Sequence, residues 1–520
     1  MEEKLVIFDT TLRDGEQSPG AAMNGAEKMR IAIQLEKLGV DVIEAGFPAA
    51  SEGDFQAVQE IARAIKNTEV AGLARTTKSD LDLAWEAIRH AKMPRIHTFI
   101  STSDLHIKHK LNMTREQVLD TAIKAVRYAK SLCDNVEFST EDGSRSDKQF
   151  LCEIFAAAIA EGATTINLAD TVGYTYPKEF AEMVSYIRMN TPGVENVVMG
   201  VHCHNDLGLA TSNTIAAVGA GARHVEVTIN GIGERAGNTS LEEVVMAIKT
   251  RPIMVDVKTN IRTEELYETS RLVSSITGIY VQPNKAIVGA NAFAHEAGIH
   301  QDGILKNPLT YEIMTPQSIG LQSNSLVLGK HSGRAGLRAH IEGLGLNVSD
   351  AELDHIFDKF KNLADKLKNI TESDLETLFA ETIYQTEDYF SLKNLEVDVG
   401  EDQRHTAKVS IALNGETAEG TNTGEDPLEA VFNVIADLSK TNAQLMQYAI
   451  VTQGVDSESL KECTVRLREE NRIALGRGTG FDVIGASAKA YLNGLNRLKY
   501  LQKNPVLCTG NKCLTNPEAY

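Results

Sequence analysis

From residue 4 to about 250, short apolar runs alternate with stretches whose apolar residues recur every three or four positions. The runs predict eight β-strands: Leu5–Asp9, Val40–Phe47, Val70–Ala74, Ile96–Ser101, Val136–Ser139, Thr165–Ala169, Val197–His204 and His224–Asn230. The intervening segments read as amphipathic helices. In Asn24–Leu38, Asn24 and Glu27 form a capping-box start, and Ile31, Leu35 and Leu38 share one face. Eight strand–helix units over some 250 residues predict a closed (β/α)8 barrel, residues 1–255. A doubly wound open sheet is the alternative, disfavoured by the regular count and by the lack of a GxGxxG turn. Residues 256–388 read as a helical accessory region without strand rhythm. Residues 389–505 read as a second α/β module holding an internal repeat, GxxTGxDxxxA, at Gly420–Ala430 and again at Gly476–Ala486. Each copy follows two strand-like segments, so two ββα units are expected. Residues 506–520 are expected to be a disordered tail.

Composition narrows the class. The chain has 520 residues, 42% apolar and 24% charged, with a net charge of −19, which argues against nucleic acid and against an anionic membrane surface. No apolar run is long enough to cross a bilayer, and the acidic N-terminus does not read as a signal peptide, so the cytoplasm is the expected compartment. The six cysteines are scattered; Cys508 and Cys513 alone lie close together, too few for a zinc site.

The seventh strand carries the chemistry. Side chains at i and i+2 of a strand point the same way, so His202 and His204 leave its C-terminal end side by side, where barrels place their active sites. Cys203 between them faces the other way and reads as packing. The first strand runs into Arg13 and Asp14 at the same end. The eighth runs into a Gly-rich loop with Asn238, most simply a cap for the helix beginning at Leu241. Asp14, His202, His204 and Asn238 would make a mixed oxygen and nitrogen set for Mn²⁺, Mg²⁺ or Zn²⁺, and Arg13 could offer a fork of donors to an oxyanion. In the C-terminal repeat, Gly424, Asp426, Gly480 and Asp482 sit where helix N-termini could hold a carboxylate, although ordinary turns explain them equally well.

LRDGEQ, ten further residues and Lys28, together with HCHNDLGLATS, closely resemble both signatures of the α-isopropylmalate/homocitrate synthase family, and the likeness extends through FPAASEGDF, ADTVGY, GIGERAGNTSLEEV and AGIHQDG. The resemblance implies a Claisen-type condensation of acetyl-CoA with a 2-oxo acid held by a divalent metal, Mn²⁺ foremost, followed by hydrolysis that frees CoA. It implies that Glu141 and Thr171 line the oxo-acid site and that His300, assisted by Tyr311, is the base, brought from a neighbouring subunit of a homodimer. His97 and Ser139 match positions that shape the side-chain pocket; a small Ser139 favours branched 2-oxoisovalerate over pyruvate or 2-oxoglutarate, the substrates of citramalate and homocitrate synthases. The C-terminal module resembles a regulatory domain inhibited by leucine. A related lyase or carboxyltransferase and a non-catalytic metal-binding sensor are the remaining alternatives; retention of the whole constellation argues against the sensor.

Overall fold

Eight parallel strands close on one another: β1 (Val6–Asp9), β2 (Val42–Gly46), β3 (Glu69–Arg75), β4 (Pro94–Ser101), β5 (Val136–Glu141), β6 (Thr165–Asp170), β7 (Val198–Cys203) and β8 (His224–Val227). The computed structural model describes residues 3–321, 328, 332–343, 348–365, 375, 378, 389–399, 404–413, 415–453, 460–470 and 472–503. Strand β1 bonds to both β2 and β8, Asp9 facing Ile43 on one side and Val227 on the other, which seals the barrel. All eight strands fall where the apolar runs place them. Each is followed by a helix: α1 (Gly25–Leu38), α2 (Glu52–Ala64), α3 (Lys78–Ile88), α4 (Arg115–Leu132), α5 (Lys148–Ala160), α6 (Pro177–Asn190), α7 (Ala210–Gly219) and α8 (Leu241–Thr250). The capping box of α1 is present: Asn24 Oδ1 accepts from Glu27 N at 3.0 Å, and Glu27 Oε2 accepts from Asn24 N at 2.8 Å. The outward strand positions (Ile7, Ile43, Val70, Ile96, Phe138, Ile166, Val201, Val225) are fully buried with the inner helix faces in one core, Cys203 among them.

The barrel interior is different. Its alternate positions carry Arg95, His97, Glu137, Ser139, Asn167, His202, His224 and Glu226, all buried, with Phe8 closing the lower part against the rings of His97 and His224 at 5.7 and 5.2 Å. This polar interior was not anticipated.

By its contacts the chain divides into two compact units, Met1–Ala294 with Glu312–Asn324, and His295–Tyr311 with Ser325–Tyr520. In the first, α9 (Leu266–Thr277) packs on α1, where Gln34 Nε2 donates to Thr269 Oγ1 at 2.9 Å, and it buries Leu266 and Val273 in the barrel's own core. The second holds α10 (Gly298–Lys306), α11 (Arg334–Gly343) and α12 (Asp350–Ala364), the last two sharing a small core around Leu337, Ile356 and Phe360.

The second unit also contains the duplication. Strands β9 (Phe390–Val399), β10 (His405–Leu413) and β11 (Glu416–Gly424) form an antiparallel sheet followed by α13 (Pro427–Ser439). Strands β12 (Gln444–Gln453), β13 (Leu460–Glu469) and β14 (Arg472–Gly480) repeat it before α14 (Val483–Lys503). Each unit is therefore βββα, one strand more than expected: the Gly-rich stretches read as turns are the third strands. Their glycines serve packing. A Cβ on Gly476 would lie 1.9 Å from the carbonyl oxygen of Ala490, so α14 rests directly on the β14 backbone. Among the described residues no helix is long and apolar enough to cross a membrane. The expected tail and Cys508 and Cys513 lie outside the described residues.

Candidate active site at the barrel mouth

His202 and His204 project together from the end of β7, their ring centroids 4.9 Å apart. Asp14 comes from the turn after β1, where its backbone N–H donates to Thr10 Oγ1 at 3.2 Å. Its Oδ2 lies 3.5 Å from Nε2 of both histidines, and the three groups place one ligand atom each within 4.8 Å of the others, all buried. Asn238 arrives from the loop after β8 and forms a β-bridge with His204. Ser240 occupies the N-cap position of α8, so Asn238 is not the cap that its place before the helix suggested. Its Nδ2 donates to Ile232 O at 3.1 Å, while Asn238 Oδ1, Asp14 Oδ1 and His204 Nδ1 are buried without a hydrogen-bond partner. Each such atom costs about 1–3 kcal/mol if nothing meets it. Asp14 Oδ2 and the two Nε2 atoms converging within 4.8 Å, with the unpartnered Asp14 Oδ1 and the Asn238 Oδ1 next to them, are the donor types of a divalent cation of hard to borderline character, so the residues fit one.

A second cluster, His97, Glu137 and Glu226, lies deeper. Its Glu137 already has basic neighbours, 2.9 Å from Arg95 Nη1 and 3.0 Å from His224 Nε2. Burial opposes ionisation of Glu137, but His224, His97 and Arg95 outweigh it and hold the carboxyl well below its ordinary range. This cluster reads as a structural ion network.

The two clusters are joined by a belt of hydrogen bonds around the interior. Arg13 Nη1 meets Asp14 Oδ2 at 2.9 Å and Arg13 Nε donates to Glu44 Oε2 at 2.6 Å. Glu44 Oε1 meets His97 Nδ1 at 2.6 Å, and His97 Nε2 meets Ser139 Oγ at 2.6 Å. Asn167 Nδ2 donates to Ser139 Oγ at 2.9 Å and to Glu226 Oε1 at 2.5 Å, and Glu226 Oε2 returns to His202 Nδ1 at 2.7 Å. Burial resists charge on Glu44, His97, Asp14 and His202, yet the neighbours prevail. Arg13 and His97 lower Glu44 to about 2. Glu44 lifts His97 to about 9. Asp14 is held well below the carboxylate range by Arg13 and the two histidines, and Glu226 and Asp14 raise His202. Glu44, Asn167 and Glu226 were missed in the sequence. Their signal was a polar side chain flanked on both sides by apolar residues within a strand run.

Above the belt opens a cavity of about 320 Å³, lined by Arg13, Asp14, His97, Ser139, Glu141, Thr171, His202 and His204 together with Phe47, Leu73, Phe99, Lys110, Glu234 and Arg235. The barrel thus gathers these eight expected residues at one mouth. Lys110, from a π-helical turn, meets both oxygens of Glu141 at 2.5 and 2.7 Å. Thr171 Oγ1 accepts from Asp142 N at 2.8 Å. His300 and Tyr311 belong to the second unit, where their rings lie 4.3 Å apart, inclined by 34°.

Residues 4–273 match the HMGL-like family, residues 287–368 the homocitrate synthase post-HMGL domain-like family and residues 369–499 the LeuA allosteric (dimerisation) domain. A 2-isopropylmalate synthase of Syntrophus aciditrophicus (strain SB) is 53% identical over 505 residues, covering 97% of this chain and 98% of its own. One from Pelotomaculum thermopropionicum is 51% identical over 499 residues, 96% of this chain and 99% of its own. One from Carboxydothermus hydrogenoformans is 52% identical over 501 residues, 96% of this chain and 98% of its own. The chain belongs to the 2-isopropylmalate synthase family.

Membership in the 2-isopropylmalate synthase family makes the chain an acyltransferase of leucine biosynthesis with an allosteric domain at its C-terminal end. In that domain Asp426 Oδ1 accepts from the N–H groups of Leu428 and Glu429 at 2.8 and 2.9 Å, and Asp482 Oδ1 accepts from Gly485 N at 2.6 Å. The helix amides expected to receive a carboxylate are thus already held by each helix's own cap. Gly424 and Gly480 end strands β11 and β14. A separate cavity of about 440 Å³ lies between α13 and β12, walled by Phe432, Tyr448 and Tyr491 and touching Asp426 alone of these four.

Proposed function

We propose that this chain condenses acetyl-CoA with 2-oxoisovalerate to give 2-isopropylmalate and free CoA. The observation that carries the reading is the convergence of Asp14, His202 and His204 beside Arg13 at the mouth of the cavity. A divalent cation, Mn²⁺ by expectation with Mg²⁺ or Zn²⁺ as alternatives, would be held by these three and by Asn238, and would supply Lewis-acid polarisation of the oxo acid's ketone.

The protein's own groups do the rest. Arg13, fixed by Glu44 and Asp14, presents its remaining guanidinium donors to the alkoxide that develops at C2. Thr171 and the Lys110–Glu141 pair face the carboxylate end of the oxo acid. Phe47, Leu73 and Phe99 offer apolar wall to a branched side chain, and Ser139 and His97 form its polar floor. Discrimination there amounts to about 1–3 kcal/mol per methylene. His300, with Tyr311 beside it, takes a proton from the acetyl methyl; the carbanion carbon then bonds to the ketone carbon, the alkoxide gains a proton, and water cleaves the thioester to release the thiol. Because these two residues stand outside the barrel unit, we assign them to the site of the neighbouring copy in a cytoplasmic homodimer. Leucine acts as feedback inhibitor through the C-terminal domain, where the aromatic cavity at Phe432, Tyr448 and Tyr491 suits its side chain better than the capped helix ends at Asp426 and Asp482.

The test is thiol release from acetyl-CoA with 2-oxoisovalerate, pyruvate and 2-oxoglutarate, each with and without chelator and leucine. Faster turnover of either competing acid, or activity indifferent to chelator, would reject this reading.

A further inference from the structure

We infer that Glu226 is a positioning residue that presents the metal-binding face of His202, an inference that rests on the metal-dependent reading above. Glu226 lies on β8 in register with His202 on β7 and is 2% exposed. Its two oxygens serve two different partners. Oε2 meets His202 Nδ1 at 2.7 Å, and Oε1 accepts from Asn167 Nδ2 at 2.5 Å.

With Oε1 occupied by an amide N–H, Oε2 stands as the acceptor facing His202 Nδ1, which serves as the donor. That leaves the Nε2 lone pair of His202 directed to the point shared with Asp14 and His204. Glu226 thereby settles which nitrogen binds metal, fixes the ring's rotation and makes the imidazole a stronger donor. His204 has no such support: its Nδ1 is buried without a hydrogen-bond partner. The geometry of the pair consequently depends on one carboxylate. Asn167, itself anchored on Ser139, steadies Glu226 directly from the other side.

The experiment is calorimetric titration of Mn²⁺ into the metal-stripped full-length protein. Glu226→Leu, which leaves Nδ1 without an acceptor, is expected to weaken Mn²⁺ binding about 10–100-fold. Glu226→Gln, able to offer one oxygen once Asn167 turns its amide, should fall between Leu and the native residue. Asn167→Ala disturbs the same buried layer yet leaves the His202 partner in place, and should stay within about threefold of the native protein. The inference is overturned if Glu226→Leu binds within about threefold of the native protein, or if Asn167→Ala loses as much as Glu226→Leu, which would mark general loosening. If Glu226→Leu does not fold, Glu226→Gln decides: binding equal to native overturns the inference, weaker binding supports it. Native protein that binds no Mn²⁺ would reject the metal-dependent reading itself, and this inference with it.

Discussion

Replacing Glu44 with glutamine keeps the volume of a wholly buried side chain and removes its charge. Glutamine retains one oxygen for Arg13 Nε and Thr10 Oγ1, each 2.6 Å away in the native protein, and turns an NH2 toward His97 Nδ1. His97 must then accept at that nitrogen and give up its charge. In the native protein its pKa stands at about 9 against an ordinary 6.5, because Glu44 overcomes the burial that opposes charge. A group whose folded pKa exceeds its unfolded one contributes stability in full below the unfolded value and loses it as pH rises through the folded value. The difference between the two is worth about 3 kcal/mol, present in full below pH 6.5 and gone above about pH 9. A further penalty of about 1.5–3 kcal/mol, from the weakened bond to Arg13, does not change with pH. The chain's single tryptophan, Trp85 on α3, packs against the barrel core, so its fluorescence follows the unfolding of the barrel. At about 2–4 °C per kcal/mol, the difference in Tm between native and Glu44→Gln should shrink by about 6–12 °C between pH 6 and pH 9.5. A difference that stays constant over that range would refute the assigned charge on His97.

Three other outcomes are expected. His202→Ala should abolish both Mn²⁺ binding, read by calorimetry, and acetyl-CoA cleavage, read as free thiol. His300→Ala should keep oxo-acid binding while turnover falls about 10²–10⁴-fold, separable by equilibrium titration and steady-state rates. Gly476→Ala pushes a methyl group into the Ala490 carbonyl and should destabilise the C-terminal module by about 1–3 kcal/mol or more, seen as earlier proteolysis of that module with the Trp85 transition unmoved.

The barrel was legible because the outward strand positions are apolar and the helices between them keep their period. Asp14, His202 and His204 were legible because a strand places alternate residues on one side, and they do meet. Asn238 lies beside them, bridged to His204, though its local look as a cap pointed elsewhere. Glu44 and Glu226 were hidden: each is one carboxylate among apolar strand residues, and only the pairing of neighbouring strands, β1 with β2 and β7 with β8, brings them to Arg13 and His202. The third strands of the C-terminal repeat were hidden by composition. ETAEGTNTG and RIALGRGTG lack plain apolar alternation because a helix lies so close to them that glycine replaces larger side chains.

The bonding of β1 to β8 has a consequence for synthesis. Asp14 is made about two hundred residues ahead of the histidine pair and Asn238. A growing polypeptide on the ribosome therefore holds only a fragment of this cluster until the eighth barrel strand has emerged and docked. A nonsense change anywhere before that point leaves a product in which these groups never meet, however many of its helices have formed.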